Sequence, residues 1–295
     1  MNKEAMQHQI LEELAKKLGK GFQILIEKVL KTNLELDGMV IMQDGENVSP
    51  TIYLEPFYEA LEGGADMDDV TNRILQNYFT ARSRAEHFDV APLSDFGYVK
   101  DRLYVQLINR HSNEKLLKHI PHAMFLDDFA VTVRCMIDSS GDYNASFLIH
   151  DHHLSMWKTD GETLLSYALQ NTRKNFGVDL MRMTDFLQKI HPEIMLEGRY
   201  PEDSIWIMTN KRKLAGASAM LFDDVLEGFA EKHGSFYVIF SSIHEALLIP
   251  SPNDSDIGVY TRMNQEVNEA QVEAEEILDT KAYYYRKGSG FVLHP

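Results

Sequence analysis

Two apolar segments flank a polar one in the stretch SFYVIFSSIHEALLIP, residues 235–250. The apolar arms are Phe236–Phe240 and Ala246–Ile249. A single strand of this length would be unusually long, and short hydroxyl side chains favour turns. The pattern therefore predicts two strands that turn at Ser241 and Ser242. Because both faces of each arm are apolar, we expect these strands in the middle of a sheet.

The N-terminal part of the chain predicts a helix followed by a β-meander. Apolar residues recur at helical spacing over residues 4–18, and Gly19 ends that pattern. Alternation of Phe22, Ile24 and Ile26 with polar residues then begins three predicted strands within 22–55.

The remainder predicts further hairpins and helices. Residues 129–138 and 145–157 are predicted as a second pair of strands, 215–233 as a helix, and the segment from Asp254 or Asp256 to about Leu278 as a long acidic helix. Hairpins and helices alternate without a regular βαβ rhythm. We therefore predict an α+β fold, with an N-terminal three-stranded meander and helices plus a larger mixed hairpin and helix lobe.

Periodicity is lost over residues 89–97, DVAPLSDFG, which indicates a boundary there. It separates an N-terminal α+β lobe, 1–92, from a C-terminal α+β lobe, 93–295, that carries the 235–250 hairpin. A length of 295 residues also fits one large domain.

The chain is strongly acidic, with 45 acids against 29 bases and a formal net charge of −16. This charge repels phosphate backbones, so we expect no direct binding to duplex nucleic acid, while a protein partner stays possible. We expect no membrane association, because the sequence has no apolar run long enough to span a bilayer. The N-terminus carries acids, unlike a secretory signal, so we expect a cytoplasmic location. Cys135 is the single cysteine and is expected to be a buried structural thiol.

Several segments resemble a known family. They are SPTIYLEPFYEAL, LINRHSNEKLLKHIPHAMFLDD, HLSMW, MTNKRKLAGASAMLF, FYVIFSSIHEALLIP and MNQEVNEAQVEAEEILDTKAYYYRKG. In these segments the chain is similar to an uncharacterised bacterial family, domain of unknown function 5688. The resemblance covers nearly the whole chain and implies no activity that can be transferred. Phe240 departs from it, because the resemblance implies proline before the two serines.

Ser242, His244 and Glu245 are the candidate catalytic residues. A hydroxyl, an imidazole and a carboxylate are the groups that a nucleophile, its base and an orienting acid require. On one strand, however, Glu245 would point away from the other two side chains, and no G-x-S-x-G elbow surrounds either serine. The alternative, which we favour, is a turn in which the serines bond to the backbone and His244 and Glu245 meet buried partners.

His150 and His152 are the candidate metal ligands, within the segment His150–His153. On an extended chain they would share a face and provide two ligands, so a third would have to come from elsewhere, such as His119 or His122. The alternative, which we favour, is a polar strand end that leads to a core anchor at Met156 and Trp157.

Two charged segments are further candidates. The acidic residues are Glu266, Glu269, Glu273, Glu275, Glu276 and Asp279. They could imitate phosphates or chelate a divalent ion, although such a run is usually a solvated helix face. Lys211–Lys213 is a compact basic cluster that could meet an anion, although a plain charged turn is the simpler interpretation.

The sequence contains no cofactor fingerprint, so no cofactor is expected. The leading hypothesis is a non-catalytic cytoplasmic binding or regulatory protein. A hydrolase that uses Ser242 and His244 is the alternative, and an acidic mimic of nucleic acid that binds a basic protein is the third.

Overall fold

The computed structural model describes residues 2–45, 49–85, 91–138, 145–191 and 205–292. The chain divides into two compact units, Met1–Ala91 and Pro92–Pro295. Helices accompany three sheets, and the strand pairings in all three are antiparallel. The predicted α+β class is therefore confirmed.

The first unit packs three helices on a three-stranded meander. Its elements are α1 (Lys3–Leu18), β1 (Phe22–Lys31), β2 (Leu34–Gln43), β3 (Thr51–Tyr53), α2 (Glu55–Glu62) and α3 (Met67–Ala85). Helix α1 begins where the Asn2 side chain accepts a hydrogen bond from the Ala5 N–H, and it ends at Gly19, whose φ is 72°. Its buried face, with Ile10 and Leu14, contributes to the core of this unit. The predicted N-terminal meander is confirmed.

The second unit begins with a four-stranded sheet and its helices. The elements are α4 (Phe96–Val99), β4 (Leu103–Asn109), α5 (Glu114–Leu117), β5 (His122–Phe125), β6 (Phe129–Asp138), β7 (Ala145–Leu148), α6 (Asp151–Trp157) and α7 (Gly161–Asn171). Strand β6 pairs with the other three strands, and a π-helical turn, Thr172–Phe176, follows α7.

A six-stranded sheet forms the rest of the second unit. Its elements are β8 (Asp179–Arg182), α8 (Met183–Ile190), β9 (Trp206–Thr209), α9 (Asp223–His233), β10 (Phe236–Ser242), β11 (Glu245–Pro250), α10 (Ile257–Gln271), β12 (Ala282–Arg286) and β13 (Gly290–Val292). The strand order is β13-β12-β10-β11-β9-β8, so the predicted hairpin does lie in the middle of the sheet.

Both faces of the β10 and β11 hairpin are covered. Phe236, Val238 and Phe240 belong to the main core, together with residues of the four-stranded sheet. Tyr237 and Ile239 alternate with them and contribute to a second core, against which residues of α8 and α10 pack. All seven residues of β10 are buried, which explains why both faces of the arm are apolar.

Three predicted elements are wrong in their extent or type. Residues 151–157 form helix α6 instead of the second half of a strand. Residues 216–221 form a 3-10 turn, so the predicted helix begins only at Asp223. Helix α10 ends at Gln271, because Val272 is extended and the chain beyond it runs along the hairpin.

The predicted boundary segment, 89–97, lies partly outside the described residues. Among the helices of the described residues, none combines the length and the apolar character needed to cross a membrane.

Candidate functional site

The turn between β10 and β11 contains all three candidate catalytic residues. Ser242 is the last residue of β10 and pairs across the hairpin with Glu245, the first of β11. The turn is therefore at Ile243 and His244, and the prediction that it falls at the two serines is wrong. Residues paired across an antiparallel ladder have side chains on the same face, so the hairpin brings Ser242 and Glu245 together. The expectation that Glu245 points away from Ser242 assumed one straight strand, whereas the two residues lie on different strands of the hairpin.

The His244 ring is directed to a residue from outside the turn. Its Nε2 lies 3.3 Å from Oε1 of Glu276, and its side chain is 27% exposed. The Nδ1 atom is buried and has no hydrogen-bond partner among the described residues. The backbone N–H of His244, and not its ring, donates to the Ser242 hydroxyl at 3.0 Å. The His244 ring of the turn therefore pairs with Glu276 from outside it, beside a serine that is bonded to the backbone.

Ser242 and Glu245 lie in a poorly solvated environment. Ser242 is 4% exposed. Burial raises the pKa of the Glu245 carboxyl, and the neighbouring His244 ring and Ser242 hydroxyl offset only part of that rise. A hydroxyl with so little exposure is poorly placed to attack a substrate from solvent.

Backbone hydrogen bonds fix the turn from two sides. On one side, the Ile243 N–H donates to the Glu276 carbonyl and the Leu278 N–H donates to the Ser241 carbonyl. On the other side, the Thr209 hydroxyl donates to the His244 carbonyl at 2.7 Å. These bonds satisfy backbone N–H and carbonyl groups of the turn, as buried backbone requires.

Gly216 packs directly against the same turn. A Cβ added at Gly216 would lie 2.1 Å from the Thr209 hydroxyl and 2.2 Å from the His244 carbonyl oxygen. The contact with the turn therefore requires a residue without a side chain at this position.

A second polar cluster is formed by Asp128, Asp279 and Tyr283. Two of these residues lie at the end of the acidic segment or just after it. The Tyr283 hydroxyl lies 2.8 Å from the Asp128 carboxyl and also contacts the Asp279 carboxyl. Lys281 and His111 both hydrogen-bond to Asp128. The sequence analysis missed this cluster, because Asp128 and Tyr283 are 155 positions apart and neither belongs to a local motif.

The cluster contains two carboxyls and one phenol proton. Burial raises the pKa of Asp279. Burial also acts to raise the pKa of Asp128, but hydrogen bonds from Lys281 and Tyr283 outweigh it and hold that pKa below its usual range. Tyr283 can donate to only one carboxyl. One phenol proton therefore cannot serve both carboxyls, and the raised pKa of Asp279 favours the protonated form of that carboxyl.

The histidine segment is helical instead of extended. His150 precedes α6, and its ring centroid lies 5.6 Å from that of His152. The His150 N–H donates to Nδ1 of His153 at 2.9 Å, which occupies that lone pair. Burial lowers the pKa of His150 and lowers that of His153 to about 4. Trp157 is the buried anchor, whereas Met156 is exposed.

Of the candidate third ligands, His119 comes before β5 and His122 is the first residue of that strand. The His119 carbonyl accepts from the Asp151 N–H, and Nδ1 of His122 bonds to the Ile120 carbonyl. Within the described residues, no group of three or more His, Cys, Asp or Glu side chains is placed to hold a metal ion.

The predicted acidic face is divided between helix and loop. Glu266 and Glu269 are exposed on α10, whereas Glu276 pairs with His244 beyond its end. Asp279 is 6% exposed. The acids therefore do not form one continuous helix face.

The fold and the turn together define an antiparallel α+β protein with a polar turn in the central hairpin of its larger sheet. The model of a family of unknown function, DUF5688, matches residues 3–287 of 295, so the chain belongs to this family. Comparisons with curated proteins and with solved structures gave no match.

Proposed function

We propose that this chain is a non-catalytic cytoplasmic binding or regulatory protein. The observation that carries the proposal is the position of the Ser242 hydroxyl. It is buried and accepts a hydrogen bond from the His244 backbone, while the His244 ring turns to Glu276. A serine nucleophile instead needs its base in hydrogen-bond reach and access to substrate.

Two further observations support the proposal. The turn is bonded to the backbone of Glu276 on one side and to Thr209 on the other, as expected of a structural element. Cys135 is buried and unpaired, and burial raises the pKa of its thiol to about 12. A protected thiol without a disulfide is compatible with a reducing compartment.

The experiment compares the wild type with Ser242→Ala and His244→Ala, with the exposed Ser289→Ala as a matched control. Loss of a buried hydrogen bond costs about 1–3 kcal/mol, so Ser242→Ala is expected to lower Tm by several degrees. Ser289→Ala is expected to leave Tm unchanged. Chromogenic ester, amide and phosphoester substrates are expected to show no turnover that depends on Ser242.

The opposite pattern would establish the hydrolase alternative. It consists of a turnover that disappears in Ser242→Ala and His244→Ala while both variants keep the wild-type Tm.

The proposed binding function has its own test. The full chain recovered under native conditions is expected to carry a stoichiometric partner or ligand. Recovery of the bare chain at physiological salt would contradict it.

A further inference from the structure

A basic cleft lies in the second unit, and none of the candidate catalytic residues Ser242, His244 and Glu245 is part of its lining. Its volume is about 700 Å³, and it is bounded by the start of β4, the end of β6 and the π-helical turn after α7. This volume is within the range of small-molecule sites. Arg102, Lys174 and Arg212 contribute three positive charges to its lining, against one negative charge from Asp101. In a chain with a net charge of −16, this local excess of positive charge stands out.

The three cations have no acidic partner among the described residues. Two of them are oriented by aromatic rings instead. The Arg102 guanidinium lies 3.7 Å from the centroid of Tyr98 and donates to its carbonyl, and Arg212 lies 5.1 Å from the centroid of Phe176. A guanidinium placed over an aromatic ring can still donate to a phosphate or carboxylate through its remaining N–H groups.

The backbone under the cleft is fixed by side chains. The Thr172 hydroxyl accepts from the Val105 N–H at 2.9 Å and donates to the Ala168 carbonyl at 2.7 Å. This hydroxyl attaches the π-helical turn, which carries Lys174, to strand β4. Single-turn π segments within helices are frequent at functional sites.

The loop that carries Arg212 has an unusual backbone. Lys213 and Ala215 have φ of 53° and 49°, a region that residues with a side chain rarely adopt. The Asn210 side chain spans the loop, since its amide donates to the Leu214 carbonyl and its oxygen accepts from the Arg212 N–H. Strained backbone of this kind persists where its surroundings determine it, often at ligand sites.

We propose that this cleft binds a small molecule through a phosphate group held by Arg102, Lys174 and Arg212. The inference rests on the proposed binding function and names its ligand class. Phosphate matches the site because it carries more than one negative charge and its oxygens fit guanidinium forks. Buried Met136 and Phe176 beneath the cations provide an apolar floor for an organic body attached to the phosphate.

Isothermal titration calorimetry on the full chain at low salt tests the proposal, with pyrophosphate, adenosine diphosphate and citrate as probes. Both phosphate probes are expected to bind, and citrate, which carries comparable charge on carboxylates, is expected to bind more weakly. Tighter binding of adenosine diphosphate than of pyrophosphate would identify a phosphate ester as the natural class. The reverse order would identify an inorganic phosphate. Either order supports the proposal that the cleft binds a phosphate group.

Three variants locate the binding. Lys174→Ala and Arg212→Ala are each expected to weaken binding about tenfold, because each removes a charged hydrogen bond. Lys211→Ala changes the same charge beside Arg212 outside the described lining and is expected to leave binding unchanged. All three residues are exposed, so the variants are expected to keep the wild-type Tm.

Three results would overturn the inference: no heat with either phosphate probe, equal binding of citrate, or equal weakening by Lys211→Ala. These results leave the non-catalytic proposal intact. Conversely, adenosine diphosphate could be consumed catalytically, with a loss of activity in Lys174→Ala and Arg212→Ala but not in Lys211→Ala. That result would support phosphate binding in the cleft and contradict the non-catalytic proposal.

Discussion

At the scale of single residues, the Asp279 carboxyl is the most informative group. Asp279 is 6% exposed, contacts the Tyr283 hydroxyl and accepts a hydrogen bond from the Thr280 N–H at 2.7 Å. When the phenol proton is directed to Asp128, the Asp279 carboxyl can bond to Tyr283 only as a donor. An amide has the same shape and donates without needing a proton from solvent.

Asp279→Asn is therefore expected to be tolerated, whereas Asp279→Ala is expected to lower the free energy of unfolding by about 1–3 kcal/mol. The raised pKa of Asp279 means that the folded chain holds this proton more tightly than the unfolded chain does. Its contribution is present below the unfolded pKa, about 3.9, and is lost as pH rises through the folded pKa. Urea unfolding from pH 4 to pH 8 measures this difference.

Relative to the wild type, Asp279→Asn should therefore gain stability as pH rises. The exposed Glu269→Gln on α10 is the matched control and should show no such trend. A gain for Asp279→Asn that is greatest at low pH would show that Asp279 is ionised in the folded chain.

At the scale of elements, the β10 and β11 hairpin depends on a close backbone approach. Gly216→Ala would place a methyl group about 2 Å from the Thr209 hydroxyl and the His244 carbonyl. We expect a loss of about 1–3 kcal/mol, as for other overpacked sites. Thermal unfolding monitored by circular dichroism measures it.

Gly228→Ala is the control for that substitution. Gly228 lies inside helix α9 with nothing within 4 Å of the added Cβ. Alanine is expected to stabilise this helix by about 0.5–1 kcal/mol. Equal effects of the two substitutions would contradict the role assigned to Gly216.

Elements were predictable where their signal is local. Strands β1, β2, β10 and β11 follow the apolar pattern, and Gly19 ends α1 as expected. The end of α10 was not predictable, because the chain after Gln271 leaves the helix to bond with the hairpin backbone. The partner of His244 was missed for the same reason, since Glu276 is 32 positions away. Arg102 and Lys174 carried no motif that would have joined them to Arg212.

At the scale of the whole molecule, we propose that 1–92 and 93–295 are separate domains. The buried cluster of the first unit runs from Met6 to Tyr78 and includes residues of α1, the meander, α2 and α3. A unit of this size can fold alone when its core is self-contained.

A fragment of residues 1–91 is therefore expected to unfold cooperatively by itself. Circular dichroism during urea and thermal unfolding tests this, with the full chain as reference. A gradual transition without a baseline would contradict independent folding and favour a single domain.

The sole thiol of the chain has a practical consequence. Cys135 is fully buried in the main core of the second unit, among residues of both sheets. A thiol-specific dye can therefore react only with molecules in which that core has opened. The rate of dye uptake by the native sequence reports how often the larger unit opens, without any engineered label.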